Sequence, residues 1–121
     1  MSESQLLGQK GEELAAEFLI AAGFKILFRN WNWGLNEIDI IAENKDYIVF
    51  VEVKTRSADY LVEPGAAINR DKRRAIVTAA NGYLQRFKID KEARFDIITV
   101  IQSIDSHKID HIEDAFYPTL R

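Results

Sequence analysis

The spacing of apolar residues along the chain predicts two helices and five strands. Over residues 5–22, apolar side chains recur at the three- and four-residue intervals of a helix, and Gly23 follows them as a stop signal. A second helical pattern covers residues 70–87, with Asn69 as its N-cap. Branched and aromatic residues predict strands at residues 24–31, 37–42, 47–55 and 94–101, and a short edge strand or extension at 107–112.

The connections between these elements are short, with one exception. We expect a turn at residues 31–36, a tight polar turn at 43–46, and a longer loop at 56–69 that contains Pro64 and Gly65. Because short turns join antiparallel neighbours, the first three strands should form a meander. The order α-β-β-β-α-β is that of an α/β fold. No repeat or linker interrupts the 121 residues, so we expect residues 1–121 to form one domain.

Composition narrows the class of protein without identifying it. Hydrophobic residues make up 47% and charged residues 29% of the chain, an ordinary balance for a soluble globular protein. The absence of cysteine excludes a disulfide scaffold and cysteine-ligated zinc, and it fits a reducing cytoplasm. The chain starts without the pattern of a signal peptide, and no apolar run approaches the roughly 18 residues of a membrane span. We therefore expect a cytoplasmic protein with no membrane partner.

The third predicted strand carries the clearest chemical signal. Because side chains alternate along a strand, Glu52 and Lys54 follow Ile48 and Phe50 on one face, while valines occupy the other. One interpretation is an exposed strand with a surface ion pair, which stabilises little. The other is a strand buried on both faces that delivers a glutamate and a lysine into a cleft at its end. The valine face favours the second interpretation.

Two further carboxylates are candidates for the same cleft. Asp39 lies between isoleucines on the second strand, where a charge is costly unless it is paired or binds a metal. The alternative is an aspartate at the strand margin, bonded to a loop. Glu12 lies at the border of the apolar stripe of the first helix, although the helix dipole alone favours an acid there. Glu37, on the same strand face as Asp39, is a second-choice ligand.

These carboxylates and one lysine are chemically compatible. Magnesium prefers oxygen ligands, and a small carboxylate cluster can hold such an ion while leaving sites for water. A lysine beside a metal-binding glutamate can orient or deprotonate that water, or stabilise charge on phosphorus. The net charge of −3 argues against a protein that only coats nucleic acid. It does not argue against such an enzyme, because a bound ion restores positive charge locally.

Basic and aromatic residues near the predicted site suggest how nucleic acid could be held. Lys72 and Arg73 continue the apolar line at the start of the second helix, where cations oppose the dipole, so either phosphate contact or a solvated basic turn explains them. Arg56 is a further phosphate candidate. Trp31, with its neighbour Trp33, can stack on unpaired bases or cap the core. The two histidines, at positions 107 and 111, are expected to be surface or edge residues.

The pattern Asp39…Glu52-Val53-Lys54 resembles the signature of the PD-(D/E)xK nuclease superfamily, whose restriction-endonuclease-like fold has a mixed central sheet flanked by helices. A glutamate on the first helix, Glu12, resembles the arrangement in archaeal Holliday-junction resolvases and RecB-type nuclease domains. The whole chain resembles the small bacterial family called YraN. The stretches that carry this resemblance are 8–12 with Ala15 and Gly23, 30–31, 37–42, 50–56, Lys72 and 94–96.

The resemblance implies a metal-dependent endonuclease acting on DNA, with branched or repair intermediates as the substrate. Glu12, Asp39 and Glu52 would hold Mg²⁺ or Mn²⁺, and Lys54 would assist the attacking water. Junction enzymes of this fold often work as homodimers. The chain departs from the superfamily at Ile38, where the proline of the signature is absent, and from the family at Asn36, where glycine is common. Two rival functions stay open: a nucleic-acid-binding module without turnover, and a protein–protein adaptor.

Overall fold

The computed structural model describes residues 2–58 and 68–116, with the side chain of Ser4 excepted. The elements follow the predicted order. They are α1 (Glu3–Ala21), β1 (Lys25–Trp33), β2 (Asn36–Glu43), β3 (Tyr47–Ser57), α2 (Arg70–Arg86), β4 (Glu92–Gln102) and β5 (His107–Ile112). Most of the predicted loop at 56–69 lies outside the described residues.

The strands form one mixed sheet in the order β1-β2-β3-β4-β5. Neighbouring strands are antiparallel, except that β3 and β4 are parallel and α2 makes the crossover between them. This arrangement confirms the predicted meander and the predicted mixed α/β fold. Two helix ends also agree with prediction. Asn69 Oδ1 accepts a hydrogen bond from the Lys72 backbone N–H at 2.8 Å, and Gly23 leaves α1 with φ of 98°.

Each face of the sheet has its own apolar core, and β3 contributes to both. Phe50 packs in the cluster beneath α2, together with Ile76 and Tyr83, which we call the α2 cluster. The valines of β3 pack with Ala15 and Leu19 of α1, in what we call the α1 cluster. The strand is therefore buried on both faces, as its valine pattern predicted, and it reaches the open end of the sheet only at its polar residues.

The predicted turn at residues 31–36 is wrong in length. Strand β1 continues through Trp33 and β2 begins at Asn36, so only Gly34 and Leu35 form the turn. Gly34 has φ of 61°, which suits a two-residue hairpin turn. The tryptophans remain in the strand because Trp31 pairs with Ile38 and packs against the α2 cluster. The asparagines in this stretch favoured a turn locally, but packing of the two rings against α2 outweighs that preference.

Among the described residues, no helix is both long enough and apolar enough to cross a membrane.

Candidate functional site

The candidate site lies where β2 and β3 separate. Their ladder ends at the pair Ile40 and Val51, while the β1–β2 and β3–β4 ladders continue to the open end of the sheet. The next two residues, Asp39 and Glu52, therefore stand in a fork between the strands. The Val53 backbone N–H has no strand carbonyl opposite it and donates to Asp39 Oδ2 at 2.8 Å. The Asp39 carboxylate thus takes the place of a backbone acceptor, and the hydrogen bond from Val53 holds it in position.

A change of face in β2 brings Asp39 between the two layers of the protein. Ile38 packs in the α2 cluster and Ile40 in the α1 cluster, although residues two apart share a face in a regular strand. On β1, the residues paired with them flank Asn30, which has φ of 53°. Few residues other than glycine adopt this backbone, and asparagine is among them. The twist at Asn30 and Asp39 lets Asp39 interact with groups on both faces of the sheet.

Glu52 faces α2 and interacts with two groups of opposite character. Its carboxyl is close enough to the Asp39 carboxyl for the negative charge of that group to act on it. Its Oε1 lies 3.5 Å from Lys72 Nζ on α2. Burial and the negative charge of Asp39 raise the pKa of Glu52 to about 7, against the opposing charge of Lys72. Among the described residues, Glu52 Oε2 is buried and has no hydrogen-bond partner.

The other two carboxyls of the site are perturbed in the same direction. Burial raises the pKa of Asp39, although the Val53 N–H and the charge of Lys72 lower it. Burial and the charge of Asp39 raise the pKa of Glu12, which Arg29 opposes. Glu12, on α1, therefore interacts electrostatically with the fork from the face of the sheet opposite to Glu52. Such concentration of like charge marks candidate functional sites.

Lys54 lies beyond Glu52 on the same strand face. The parallel ladder with β4 is regular here, so alternation places Glu52, Lys54 and Arg56 together on the α2 side. Burial and the positive charge of Arg56 lower the pKa of Lys54, and Glu52 raises it. The Arg56 side chain is held against its own strand, because its Nη1 donates to the Thr55 carbonyl at 2.8 Å. This end of β3 thus presents the half-buried amine of Lys54 next to the half-buried carboxyl of Glu52.

The donor set fits a hard divalent cation in part. Asp39 and Glu52 offer carboxylate oxygens, and the Glu52 oxygen without a donor is a buried polar atom that a cation would satisfy. A cation between them would also offset the burial that raises both pKa values and the charge of Asp39 that raises that of Glu52. However, among the described residues no three ligating side chains are gathered into a ready-made cluster. Glu12 therefore lies near Asp39 and Glu52, but the three carboxyls do not form a closed set of metal ligands.

The predicted nucleic-acid residues have different surroundings. Lys72 has a side chain 48% exposed, so it contacts Glu52 and also faces solvent. Arg73 donates through Nε to the Ile68 carbonyl at 3.0 Å, which anchors the residues before α2. Trp31 is half-buried and packs edge-to-face against Tyr83, with ring centroids 5.3 Å apart. Trp31 therefore does cap the core, and a role in stacking stays a prediction.

Comparison with known proteins assigns the chain to a family. The family described as "Uncharacterised protein family UPF0102" matches residues 11–100. The chain belongs to UPF0102. A UPF0102 protein of Parabacteroides distasonis is 45% identical over 121 residues, covering 100% of both chains. Another, from Bacteroides thetaiotaomicron, is 44% identical over 120 residues, covering 99% of both. The membership agrees with the family resemblance drawn from the motifs.

The UPF0102 chain also shares its fold with a solved structure. Hjc, a Holliday junction resolvase from the archaeal hyperthermophile Archaeoglobus fulgidus, superposes with a TM-score of 0.53 over 91% of each chain. The sequence identity is 18%, so the likeness is one of fold. It confirms the mixed α/β fold that the resemblance at Asp39…Glu52-Val53-Lys54 implied.

Sequence reasoning missed Asn30 as a member of the site. With its NH₂ group turned toward the carboxylates, the Asn30 side chain donates to Glu12 Oε1 at 2.8 Å and to Glu37 Oε1 at 3.2 Å. It therefore links α1 to β2 across the fork. Two signals in the sequence pointed to this residue: asparagine tolerates the left-handed backbone that the twist requires, and residues 30–31 are among the stretches that resemble the family.

A second charged cluster lies in the UPF0102 chain away from the fork, and it corrects the expectation for His111. This side chain is 11% exposed, and its Nε2 lies 2.7 Å from Oδ2 of the buried Asp96. Arg94 donates to both Asp96 oxygens at 2.9 Å, and the Asp114 backbone N–H donates to Oδ1 at 3.0 Å. His111 is on an edge strand, as predicted, but it is not a surface residue because its side chain faces the sheet interior.

Proposed function

We propose that this UPF0102 protein is a divalent-metal-dependent, endonuclease-like protein that hydrolyses phosphodiester bonds in DNA. The observation that carries the proposal is the meeting of two half-buried carboxyls, Asp39 and Glu52, with one Glu52 oxygen that is buried and has no hydrogen-bond partner among the described residues. Buried like charges destabilise a fold unless something compensates for them. A bound cation supplies that compensation, and the similarity to a nuclease fold supports the same reading.

Each residue of the fork has a role in this proposal. Asp39 and Glu52 would hold Mg²⁺ or Mn²⁺, with Glu12 contributing from α1. When bound, the ion would lower the pKa of a coordinated water and offset the charge of the scissile phosphate. Lys54, on the same strand face as Glu52, is positioned to orient the attacking water or to stabilise charge on the phosphate. Lys72 is exposed enough to turn from Glu52 toward a phosphate.

The class of DNA and the assembly are finer points of the same proposal. Hjc is described as a Holliday junction resolvase, which makes branched DNA the first substrate to test. Arg56, Arg73 and Trp31 are proposed further contacts to nucleic acid. We also propose that residues 1–121 act as one domain in the cytoplasm. A homodimer would suit the two-fold symmetry of a junction.

The decisive experiment measures cleavage and metal binding in the same set of proteins. Labelled linear, single-stranded and branched DNA is incubated with Mg²⁺ or Mn²⁺ and with wild type, Glu52→Ala, Lys54→Ala and Glu12→Ala. Glu13→Ala is the matched control, because Glu13 neighbours Glu12 but is exposed. Loss of Glu52 or Lys54 should reduce the cleavage rate by roughly 100-fold or more. Glu13→Ala should cleave like wild type.

The outcomes separate the proposal from its rivals. Cleavage that persists unchanged in both Glu52→Ala and Lys54→Ala would refute the site assignment. DNA binding without cleavage in any metal would favour a binding module without turnover. Absence of both DNA binding and metal-linked stabilisation would favour a protein–protein adaptor, since a ligand that binds only the folded state must raise its stability.

A further inference from the structure

A strip of aromatic rings runs over the α2 side of β1, and half of it faces solvent. Each ring contacts the next one along the strip, and neighbouring centroids are between 5.3 and 5.8 Å apart. In this spatial order the rings are those of Phe87, Phe28, Tyr83, Trp31 and Trp33. Phe87 is 43% exposed, Phe28 40% and Trp33 38%. Core packing explains Tyr83, which is buried, but it does not explain three large rings left in contact with water. We call this set the aromatic strip.

The outer end of the aromatic strip is built into the fold rather than loosely attached. Trp33 lies flat against α2 at Gly82, where an added Cβ would come within 2.5 Å of Trp33 Cε2. Trp31 stacks on Trp33 at an interplanar angle of 16°. A helix-interior glycine costs about 1 kcal/mol relative to alanine, so Gly82 is used here to admit the ring. The exposed tryptophan is therefore held in a fixed position, which reduces the entropy lost when a flat ligand stacks on it.

The charge beside the aromatic strip is opposite to the charge of the whole protein. Helix α2 carries five basic residues and one acidic residue, whereas the chain has a net charge of −3. At one end of the strip, the Arg86 guanidinium lies 5.9 Å from the centre of the Phe87 ring. At the start of α2, Lys72 reaches the fork. Exposed rings flanked by positive charge match a ligand that has flat bases and a phosphate backbone.

The aromatic strip and the fork lie on the same side of the sheet, with the buried rings of Tyr83 and Phe50 between them. Tyr83, at the centre of the strip, has its ring 5.9 Å from that of Phe50. Glu52 is the second residue after Phe50 and shares its strand face, about 7 Å further along β3. A strand of nucleic acid that stacked its bases on the strip would thus lie on the same side of the sheet as Glu52 and Lys72.

We propose that the aromatic strip binds the unpaired bases of a single-stranded nucleic-acid segment, with its phosphates directed to the basic residues of α2. The inference rests on the proposed function, and it specifies the substrate as one with unpaired bases beside the cleaved bond. Duplex DNA would leave the strip unused, because stacked and paired bases do not present their faces.

The test uses the two tryptophans as reporters, since the chain contains only these two and both belong to the strip. Tryptophan emission is titrated with oligothymidylate and with duplex DNA of equal length, in EDTA so that cleavage does not interfere. Saturable quenching by the single strand, at lower concentration than by duplex, is expected. Affinity is then measured with a labelled oligothymidylate for Trp33→Ala, Trp33→Phe and Phe87→Ala.

Trp33→Ala and Phe87→Ala should each weaken binding roughly 5- to 100-fold, the range for loss of one stacked base. Trp33→Phe keeps a stacking ring and should retain most of the affinity. Leu35→Ala and Ile104→Ala are the controls, because these exposed apolar residues lie outside the strip and should not change binding. Unchanged affinity in both alanine variants of the strip, with each shown to be folded by circular dichroism, would overturn the inference.

Other results have definite meanings. Equal affinity for duplex and single strand would also overturn the inference. A change in sedimentation coefficient rather than in DNA affinity in the strip variants would assign the surface to a second copy of the chain instead. Binding of oligothymidylate with no cleavage of any DNA would reject the proposed catalysis and leave the strip assignment standing. Cleavage by wild type without binding of oligothymidylate would reject the strip assignment and leave the proposed catalysis standing.

Discussion

The side-chain NH₂ of Asn30 donates to Glu12 Oε1 at 2.8 Å, while the backbone of Asn30 adopts φ of 53°. One residue thus joins α1 to the fork and also produces the twist that turns Asp39 between the two faces of the sheet. The two roles are separable, because glycine accepts the backbone but lacks the amide, and alanine lacks both properties.

We predict that Asn30→Gly and Asn30→Ala weaken metal binding equally but differ in stability. Each loses the amide that holds Glu12, so Mn²⁺ should raise the melting temperature less than in wild type. Asn30→Ala should in addition be about 1 kcal/mol less stable than Asn30→Gly, because alanine resists the left-handed backbone. Thermal unfolding with and without Mn²⁺ measures the first effect, and urea unfolding without metal measures the second. If the two variants were equally stable, the backbone role of Asn30 would be disproved.

Glu52→Gln should stabilise the protein in the absence of metal. The substitution keeps the shape of the side chain, removes one of two repelling buried carboxyls, and adds an NH₂ that can donate to Asp39. At pH 8 in EDTA, we expect a gain of about 1 to 3 kcal/mol in the free energy of unfolding. The same variant should lose metal-linked stabilisation and cleavage. A fall in stability in EDTA would mean that Glu52 is a structural residue instead.

Asp96 should be a structural residue, unlike the carboxyls of the fork. Asp96→Asn leaves Arg94, 11% exposed, without its buried charged partner, so that the exposed Glu113, 3.8 Å away, is the ion-pair partner that remains. Breaking a buried ion pair on one side costs about 3 to 5 kcal/mol. Urea unfolding at pH 7 should show that loss. Asp105→Asn, in the exposed turn before β5, is the control and should stay within about 0.5 kcal/mol of wild type.

The contribution of Asp96 should also depend on pH in a defined direction. Burial opposes the charged form, but hydrogen bonds from His111 and Arg94 outweigh it, and the pKa of Asp96 is lowered from 3.8. A lowered pKa stabilises the fold fully above the unfolded-state value of about 3.9, and the stabilisation disappears as pH falls through the folded-state value. The stability gap between wild type and Asp96→Asn should therefore narrow below about pH 4. A gap that widened on acidification would contradict the assignment.

Two helix glycines should respond to alanine with opposite signs. Gly82→Ala places a Cβ 2.5 Å from Trp33 Cε2 and must displace the ring, at a cost of about 1 to 3 kcal/mol. Gly8→Ala on α1 meets nothing within 4 Å, so it should gain up to about 1 kcal/mol from helix propensity. Thermal unfolding measures both. Tryptophan emission should shift to the red in Gly82→Ala alone, since the released Trp33 becomes more hydrated.

Much of the fold followed from local patterns. The helices, the meander of the first three strands and the N-cap at Asn69 were predicted because each depends on residues close in sequence. The length of the first hairpin was not, since packing of Trp31 and Trp33 on α2 decides it. Asn30 was missed for a related reason: its partners Glu12 and Glu37 are specified by where α1 lies on the sheet.

By itself, the sequence determined that β3 is buried on both faces and that Glu52 and Lys54 share one of them, because alternation is a property of a single strand. Only the tertiary structure decided that Asp39 meets Glu52, that Glu12 approaches from the other face, and that Lys72 balances the pair. Periodicity records how a residue points relative to its own backbone. It carries no information on where two neighbouring strands part, and here the fork between β2 and β3 is what gathers the carboxyls.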